Sequence, residues 1–408
     1  MSSALRRLPL AMIALIAMPA LTSTAEAQDS QGFIYGRVTT ESGTEYQGFL
    51  RWGTQEGFWG DLFHSTKEDL PFYRYMERER VDRRRGSGTS VRVLGRNVRV
   101  EYSGSHQFIA RFGDMASIEP YRRGRTLIVM KNGSEYEVSG GGDTSDPVHV
   151  TDAALGEIDV RWDRIRSIDF SAAPRGAEHG ATRLYGMVET SEGVFEGFIQ
   201  WDQDEGMSSD VLDGETDDGD VSIRMGTIES IERLSRRASL VTLRDGREFR
   251  LEGSNDVNED NRGIMVEDER FGRLTVEWGS FDRVTFTDPG TSGPSYSDFR
   301  ALGDLHGTVM TEGGEQLTGR IAYDLDEGEG WEMLNGDLGQ ISFDIPMANV
   351  AAVEPFGNET QVELTSGEVL VLDGTHDVSD DNSGVLVWEG DDPTYVAWRE
   401  IQRIVFDR

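Results

Sequence analysis

No cysteine occurs anywhere in the 408 residues. The chain therefore has no disulfide, no thiolate nucleophile and no thiolate metal ligand, so its cores alone must hold it together. Lysine is almost as scarce, with only Lys67 and Lys131, so nearly all positive charge is arginine. Against 40 Lys and Arg stand 74 Asp and Glu, a net charge of −34, and the deficit falls mainly on the last two thirds of the chain. A surface of that sign repels nucleic acid and anionic lipid. Long apolar runs are missing beyond the N-terminal segment, and no later stretch approaches the eighteen or so residues that a membrane-spanning helix needs. An outer-membrane barrel would need an apolar outward band, whereas Arg, Asp and Glu recur at outward positions. Short catalytic signatures are absent too: no GxSxG, HExxH, P-loop or strand-linked GxGxxG. The six histidines, His64, His106, His149, His179, His306 and His376, have no metal-spaced His partner.

The N-terminal stretch has Arg6 and Arg7, an apolar run from Leu8 to about Leu21, and the small-residue pattern Ala25-Glu26-Ala27. It reads as a Sec-type signal peptide over residues 1–27, which leads us to expect a periplasmic or secreted protein.

What the rest of the chain holds is repetition. From Val241 to Phe286, Val241 and Leu243, then Phe249 and Leu251, alternate with polar residues around Asp245-Gly246, the pattern of a tight hairpin. Gly253 opens a polar loop, strand-like residues resume at Ile264 and Val266, and a turn near Gly272 leads to Leu274, Val276 and Trp278. Phe281, Val284 and Phe286 then follow at a spacing that suits one helical turn and a final strand. The tail recurs as Trp162, Ile165, Ile168, Phe170 and as Trp398, Ile401, Ile404, Phe406; the hairpin recurs at Asn132-Gly133 and Ser366-Gly367. A related half-unit precedes each copy and ends in Phe112, Met115, Ile118, in Met225, Ile228, Ile231, or in Met347, Val350, Val353. The expected fold is all-β: three tandem repeats, each of two half-units of short strands with a one-turn helix before the last strand.

The expected boundaries are repeat 1 over 28–170, a linker at 171–182, repeat 2 over 183–286, a linker at 287–303 and repeat 3 over 304–408. Repeat 1 carries an Arg-rich insertion at about 66–100, beginning as a short helix and continuing in alternating strands. The Asp245-Gly246 hairpin, Gly253 and the Trp278, Phe281, Val284, Phe286 tail give each half-unit a resemblance to the SH3-like and Sm-like small β-barrels. That resemblance implies a bent five-stranded sheet and carries no function, because such barrels serve many.

Two sets of residues are candidates for binding. Trp59 and Trp331 lie in glycine-rich loops and could stack against a sugar or peptide, and Arg83, Arg84 and Arg85 of the insertion could face an anionic partner. The alternatives are a solvated charge run for the arginines and core for the tryptophans aligned at Trp162, Trp278 and Trp398. The loop after the second strand carries Asp143, Asp256 and Asp377, each three residues beyond a glycine. In repeat 2, Asp256, Asn258, Asp260 and Glu267 approximate the spacing of a calcium loop, so calcium is the one cofactor to consider. Against it, Asn261 stands where the sharp turn needs glycine, Trp388 replaces Glu267 in repeat 3, and an Asp-capped turn explains the same residues. The expectation is a non-catalytic extracytoplasmic protein, an interaction or scaffolding module of the cell envelope, with an envelope protein or glycan as partner. A secreted hydrolase and a calcium-dependent surface binder are the alternatives.

Overall fold

The computed structural model describes residues 32–68, 72, 77–78, 89–93, 96–100, 107–121, 124–140 and 142–407. The signal-like segment 1–27 and the candidates Arg83, Arg84 and Arg85 lie outside them. The described protein is all-β, built of antiparallel strands joined by turns and by 3₁₀ helices of three residues each. Where the insertion was expected to begin as a helix, the described pair Glu77–Arg78 is strand and pairs with Thr89–Val93.

Alternation makes these strands. In Ala238–Leu243, Val241 and Leu243 enter the core while Leu240 and Thr242 are half-buried, and in Glu248–Glu252 Leu251 turns inward between exposed neighbours. Asp245-Gly246 closes the pair: the Leu243 N–H donates to the Arg247 carbonyl at 2.8 Å and Gly246 sits at φ 86°, a region that glycine enters without steric cost. Gly133 and Gly367 occupy the equivalent turns at φ 90° and 99°.

Apart from the small sheet of the insertion, the segments 35–170, 184–287 and 306–406 each supply ten strands. In the first segment the strands lie side by side in the order 156–160, 148–152, 45–52, 35–40, 165–170, 115–121, 125–130, 135–139, 62–67, 107–111. The second has the same order: 272–276, 264–268, 193–200, 184–190, 281–287, 228–235, 238–243, 248–252, 211–216, 219–224. Eight strands of the third follow it again. The remaining hairpin, Met333–Leu338 with Ile341–Pro346, bridges Asp337 to Asp373 on its own unit and pairs on its other edge with Gly272–Val276 of the second.

This order departs from a reading of each half-unit as contiguous. The first hairpin of each unit does not pair with the next hairpin in the chain; it pairs with one from the second half, Glu45–Trp52 with Val148–Asp152, Gly193–Gln200 with Ile264–Asp268, and Gln316–Ala322 with Val385–Trp388. The hairpin passed over joins the other half, Leu62–Lys67 beside Glu135–Ser139 and Val211–Thr216 beside Glu248–Glu252. The two halves thus exchange hairpins, and the last strand of each unit pairs with the strand that opens the second half, so each unit is one shared sheet. Single 3₁₀ turns precede the closing strands at Phe112–Asp114, Trp162–Arg164, Met225–Thr227, Met347–Asn349 and Trp398–Glu400.

An acid holds the chain where each hairpin is handed over. One oxygen of Asp61 accepts the N–H groups of Gly57 and Phe58 at 2.7 and 2.8 Å, while the other pairs with Arg273 of the second unit. Asp210 does the same with Gly206 and Met207 and faces Arg51 of the first unit at 3.5 Å. Glu332 holds Gly328 and Glu329 and pairs with Lys67 of the first unit at 2.7 Å. Buried side chains of the second and third units form one continuous core, and the first unit has its own, into which Met207 and Trp331 insert.

Trp278 is only 4% exposed and packs against Trp201 and Phe281 inside that shared core. Trp278→Ala should cost about 3–5 kcal/mol, and calorimetry should show the second and third units melting together at a lower temperature. A third-unit transition left at the wild-type temperature would show that the shared core does not couple them.

Candidate functional site

The site grows from two loops in each unit. After the strand Gly193–Gln200 comes Trp201-Asp202-Gln203-Asp204-Glu205, closed by main-chain bonds between Trp201 and Glu205 at 2.8 and 2.9 Å. Asp202 and Gln203 sit at φ 51° and 62°, a left-handed conformation that Asp tolerates better than most residues. Tyr323-Asp324-Leu325-Asp326-Glu327 makes the same turn, with Asp324 and Leu325 at φ 48° and 58°. In the first unit the turn is Trp52-Gly53-Thr54-Gln55-Glu56, with Gly53 at φ 51° in place of the first Asp.

The second loop carries the recurring aspartate. Ser254 caps the 3₁₀ turn Asn255–Val257 by accepting the Asp256 N–H, and Asp256 Oδ2 accepts the N–H of Asp213 at 2.6 Å. Asp377 Oδ2 accepts the N–H of Asn335 at 2.7 Å, and Asp143 Oδ2 that of His64 at 2.6 Å. A core ring ties each of the later two loops to the first: Trp201 Nε1 donates to the Asp256 carbonyl at 2.8 Å, and the Tyr323 hydroxyl donates to that of Asp377.

The two loops together bring carboxylates to one point. Among the described residues, Asp202, Glu205 and Asp256 form one group whose oxygens lie within 4.8 Å of one another, and Asp324, Glu327 and Asp377 form the other. Burial, with neighbouring acids adding to it, pushes Glu205 and Asp377 up to about 8, and raises Asp256, Asp324 and Glu327 as well. Glu56 of the first unit, buried beside Asp143 and Asp61, is pushed up to about 9. His376 lies 2.9 Å from Asp324, and that hydrogen bond raises it.

The proposed calcium-loop residues do not share this point. Asp256 enters the first group, but Asn258 accepts the Asp260 N–H in a local turn, Asp260 is exposed, and Glu267 pairs with Arg183 at 2.6 Å. Spacing along one loop does not capture this group, because its other carboxylates come from the Asp-x-x-Glu turn more than fifty residues earlier. The signal available in the sequence was the repeated aromatic-Asp-x-Asp-Glu after a strand, at Trp201 and Tyr323. Trp59 and Trp331 are not platforms either: they are 1% and 2% exposed, the first packed on Phe170 and Tyr296 and the second on Phe108 and Tyr136. The glycines beside them let the rings sink between units. Trp278 and Trp398 are buried, and Trp162 is half-buried against the first core.

Where the three units and the second linker meet there is a cleft of about 460 Å³. Arg111 comes to it from the first unit, Phe198 and Arg273 from the second, Phe299 from the linker, and Met333 and Asp344 from the third. Nearby, Lys67 is buried with its ammonium 2.8 Å from Asp326 and 2.7 Å from Glu332; burial opposes its charge, yet these carboxylates hold its pKa above the ordinary lysine value. Comparison with known protein families, curated proteins and solved structures finds no match for this chain.

Two outcomes follow from the electrostatics. Lys67→Met leaves Glu332 and Asp326 without their cation in a buried setting, which should destabilise by about 3–5 kcal/mol in chemical denaturation. The pH dependence has a definite sign. Carboxyls with raised folded pKa values contribute stability that is complete below about pH 4 and is lost as pH rises through the folded value. His64 and His179, which burial holds near 4, act oppositely below pH 6.5, and Lys131, held near 8 mainly by burial, acts oppositely above that. Between pH 6.5 and 8, in the presence of a chelator, the melting temperature should therefore fall, and fall less in Glu205→Gln.

Proposed function

We propose that this chain is a non-catalytic, extracytoplasmic repeat protein, an interaction or scaffolding module of the cell envelope that offers the cleft between its repeats to an envelope protein or glycan. The observation that carries this reading is the welding of the three units: the acids Asp61, Asp210 and Glu332 each spend one oxygen on main chain and the other on a cation of a different unit. Polar groups used in that way hold a shape. The cleft, lined by the Arg273 that Asp61 holds, draws its wall from all three units, the arrangement expected of a preformed binding surface. The N-terminal signal-like segment supports the location, and the absence of cysteine is consistent with stability taken from cores and ion pairs.

One observation favours a secreted hydrolase instead. Asp344 lines the cleft, and burial raises its carboxyl above the ordinary range despite Arg273 and a 2.6 Å bond from Asn335. A raised carboxyl in a cleft is suited to acid catalysis. The two readings separate in one experiment on the mature protein in its native envelope. A photo-crosslinking residue at Arg300, on the exposed cleft rim, should yield a discrete adduct, and the same residue at Phe356, which is 74% exposed and outside the cleft lining, should not. Turnover on a panel of glycans, peptides and phosphoesters, lost in Asp344→Asn, would replace the binding reading with the hydrolase.

A further inference from the structure

The carboxylate group of the third unit has an unanswered oxygen. Asp324 Oδ1 accepts the Ser383 N–H and its Oδ2 lies beside His376; Asp377 Oδ2 accepts the Asn335 N–H. Glu327, only 8% exposed, is turned into the same space by the Tyr323-to-Glu327 turn, and its Oε2 is buried without a hydrogen-bond partner. Buried carboxylate oxygens are normally satisfied by a donor or a cation. Lys67 is already committed to Asp326 and Glu332.

The second unit offers the comparison: Glu205 Oε2 is likewise without a partner, but Glu205 is only half-buried and an arginine stands beside its group. Its frame is the same: the Arg262 N–H on Asp202 Oδ1, the Asn255 amide on Asp202 Oδ2, and the Asp213 N–H on Asp256. There the Arg262 guanidinium also reaches Asp202 at 2.8 Å and Asp204. The third unit has the same loop, DVSDDNSG against DVNEDNRG, with Ser383 at the register of Arg262. The same acidic frame is thus retained without the arginine, with His376 on Asp324 and Lys67 on Asp326. In the first unit Gly53 removes the first carboxylate.

We propose that Asp324, Glu327 and Asp377 bind a divalent cation of the calcium class, beside Asp324, where the Arg262 guanidinium of the second unit has no counterpart. The donor set is all oxygen and anionic, the choice of a hard cation, and it excludes the softer metals that favour sulfur or several imidazoles. Oxygens within 4.8 Å of one another span the shell of an ion bound at about 2.3–2.6 Å. His376 would orient Asp324 from behind rather than ligate. The loops that carry Asp324 and Asp377 are then pinned by the ion as well as by the Tyr323 hydroxyl.

The test uses the whole mature chain, stripped with EDTA and dialysed, with calcium chloride as the probe. Calcium should raise the melting temperature by several degrees in the wild type and in Glu205→Gln, and not in Glu327→Gln. Magnesium chloride, and sodium chloride at matched ionic strength, should do less, since diffuse screening of an acidic surface does not distinguish these salts by site. Should Glu327→Gln fail to fold, terbium luminescence of the wild type, sensitised by Tyr323 and displaced by calcium with one-to-one stoichiometry, provides the same decision without a variant. No calcium response, a response equal to that of sodium chloride, or a response undiminished in Glu327→Gln would each overturn the site.

Discussion

The two oxygens of one carboxylate, divided between main chain and a neighbouring unit's cation, set the form of this molecule. In Asp61, Asp210 and Glu332 the carboxylate oxygen that accepts main-chain N–H groups fixes the direction in which the chain leaves the first hairpin, and so which half of the unit the next hairpin joins. The other oxygen fixes which unit lies alongside. A charge that holds two N–H groups and also meets a buried guanidinium or ammonium is well satisfied, and removing its partner is costly because the desolvated group remains. Local path and global assembly therefore depend on the same side chains.

The exchange of hairpins has a mechanical consequence. A unit made of two contiguous small barrels could separate into halves, whereas here each half contains strands from both ends of the unit. The second and third units extend this principle across their boundary, where Gly272–Val276 pairs with Ile341–Pro346 and the two cores merge. Opening one half of a unit therefore requires breaking sheet bonds in the other.

The loops bearing Glu56, Glu205 and Glu327 are three versions of one frame. In each, a ring at the end of a strand is buried and a tight left-handed turn follows, with a glutamate at its close; what differs is the charge placed around it. The first lacks an aspartate, the second sets an arginine beside its three carboxylates, and the third sets a histidine beside its three. Conserving the backbone while varying the countercharge gives a fixed scaffold different electrostatic contents.

Much of this was legible in the amino-acid order. Period-two alternation, Asp245-Gly246 and its counterparts, and the Trp278, Phe281, Val284, Phe286 spacing determined short antiparallel strands, their hairpins and the turn before each closing strand, because these depend on residues a few positions apart. The recurring Asp256 was visible for the same reason, but the main-chain N–H it caps, that of Asp213 in another hairpin, was not. Which hairpin pairs with which was decided only in three dimensions, since Val148–Asp152 and Leu62–Lys67 present the same alternation to any sheet edge and the chain leading into Leu62–Lys67 is turned by Asp61 on the Gly57 and Phe58 N–H groups. The burial of Trp59 and Trp331 was likewise a tertiary outcome: glycine-rich flanks suit an exposed loop and an inter-unit plug equally well. The company of Asp377 was decided by tertiary structure too, because Asp324 and Glu327 reach it across more than forty residues, a distance at which spacing carries no information and only the fold sets the separation of charges.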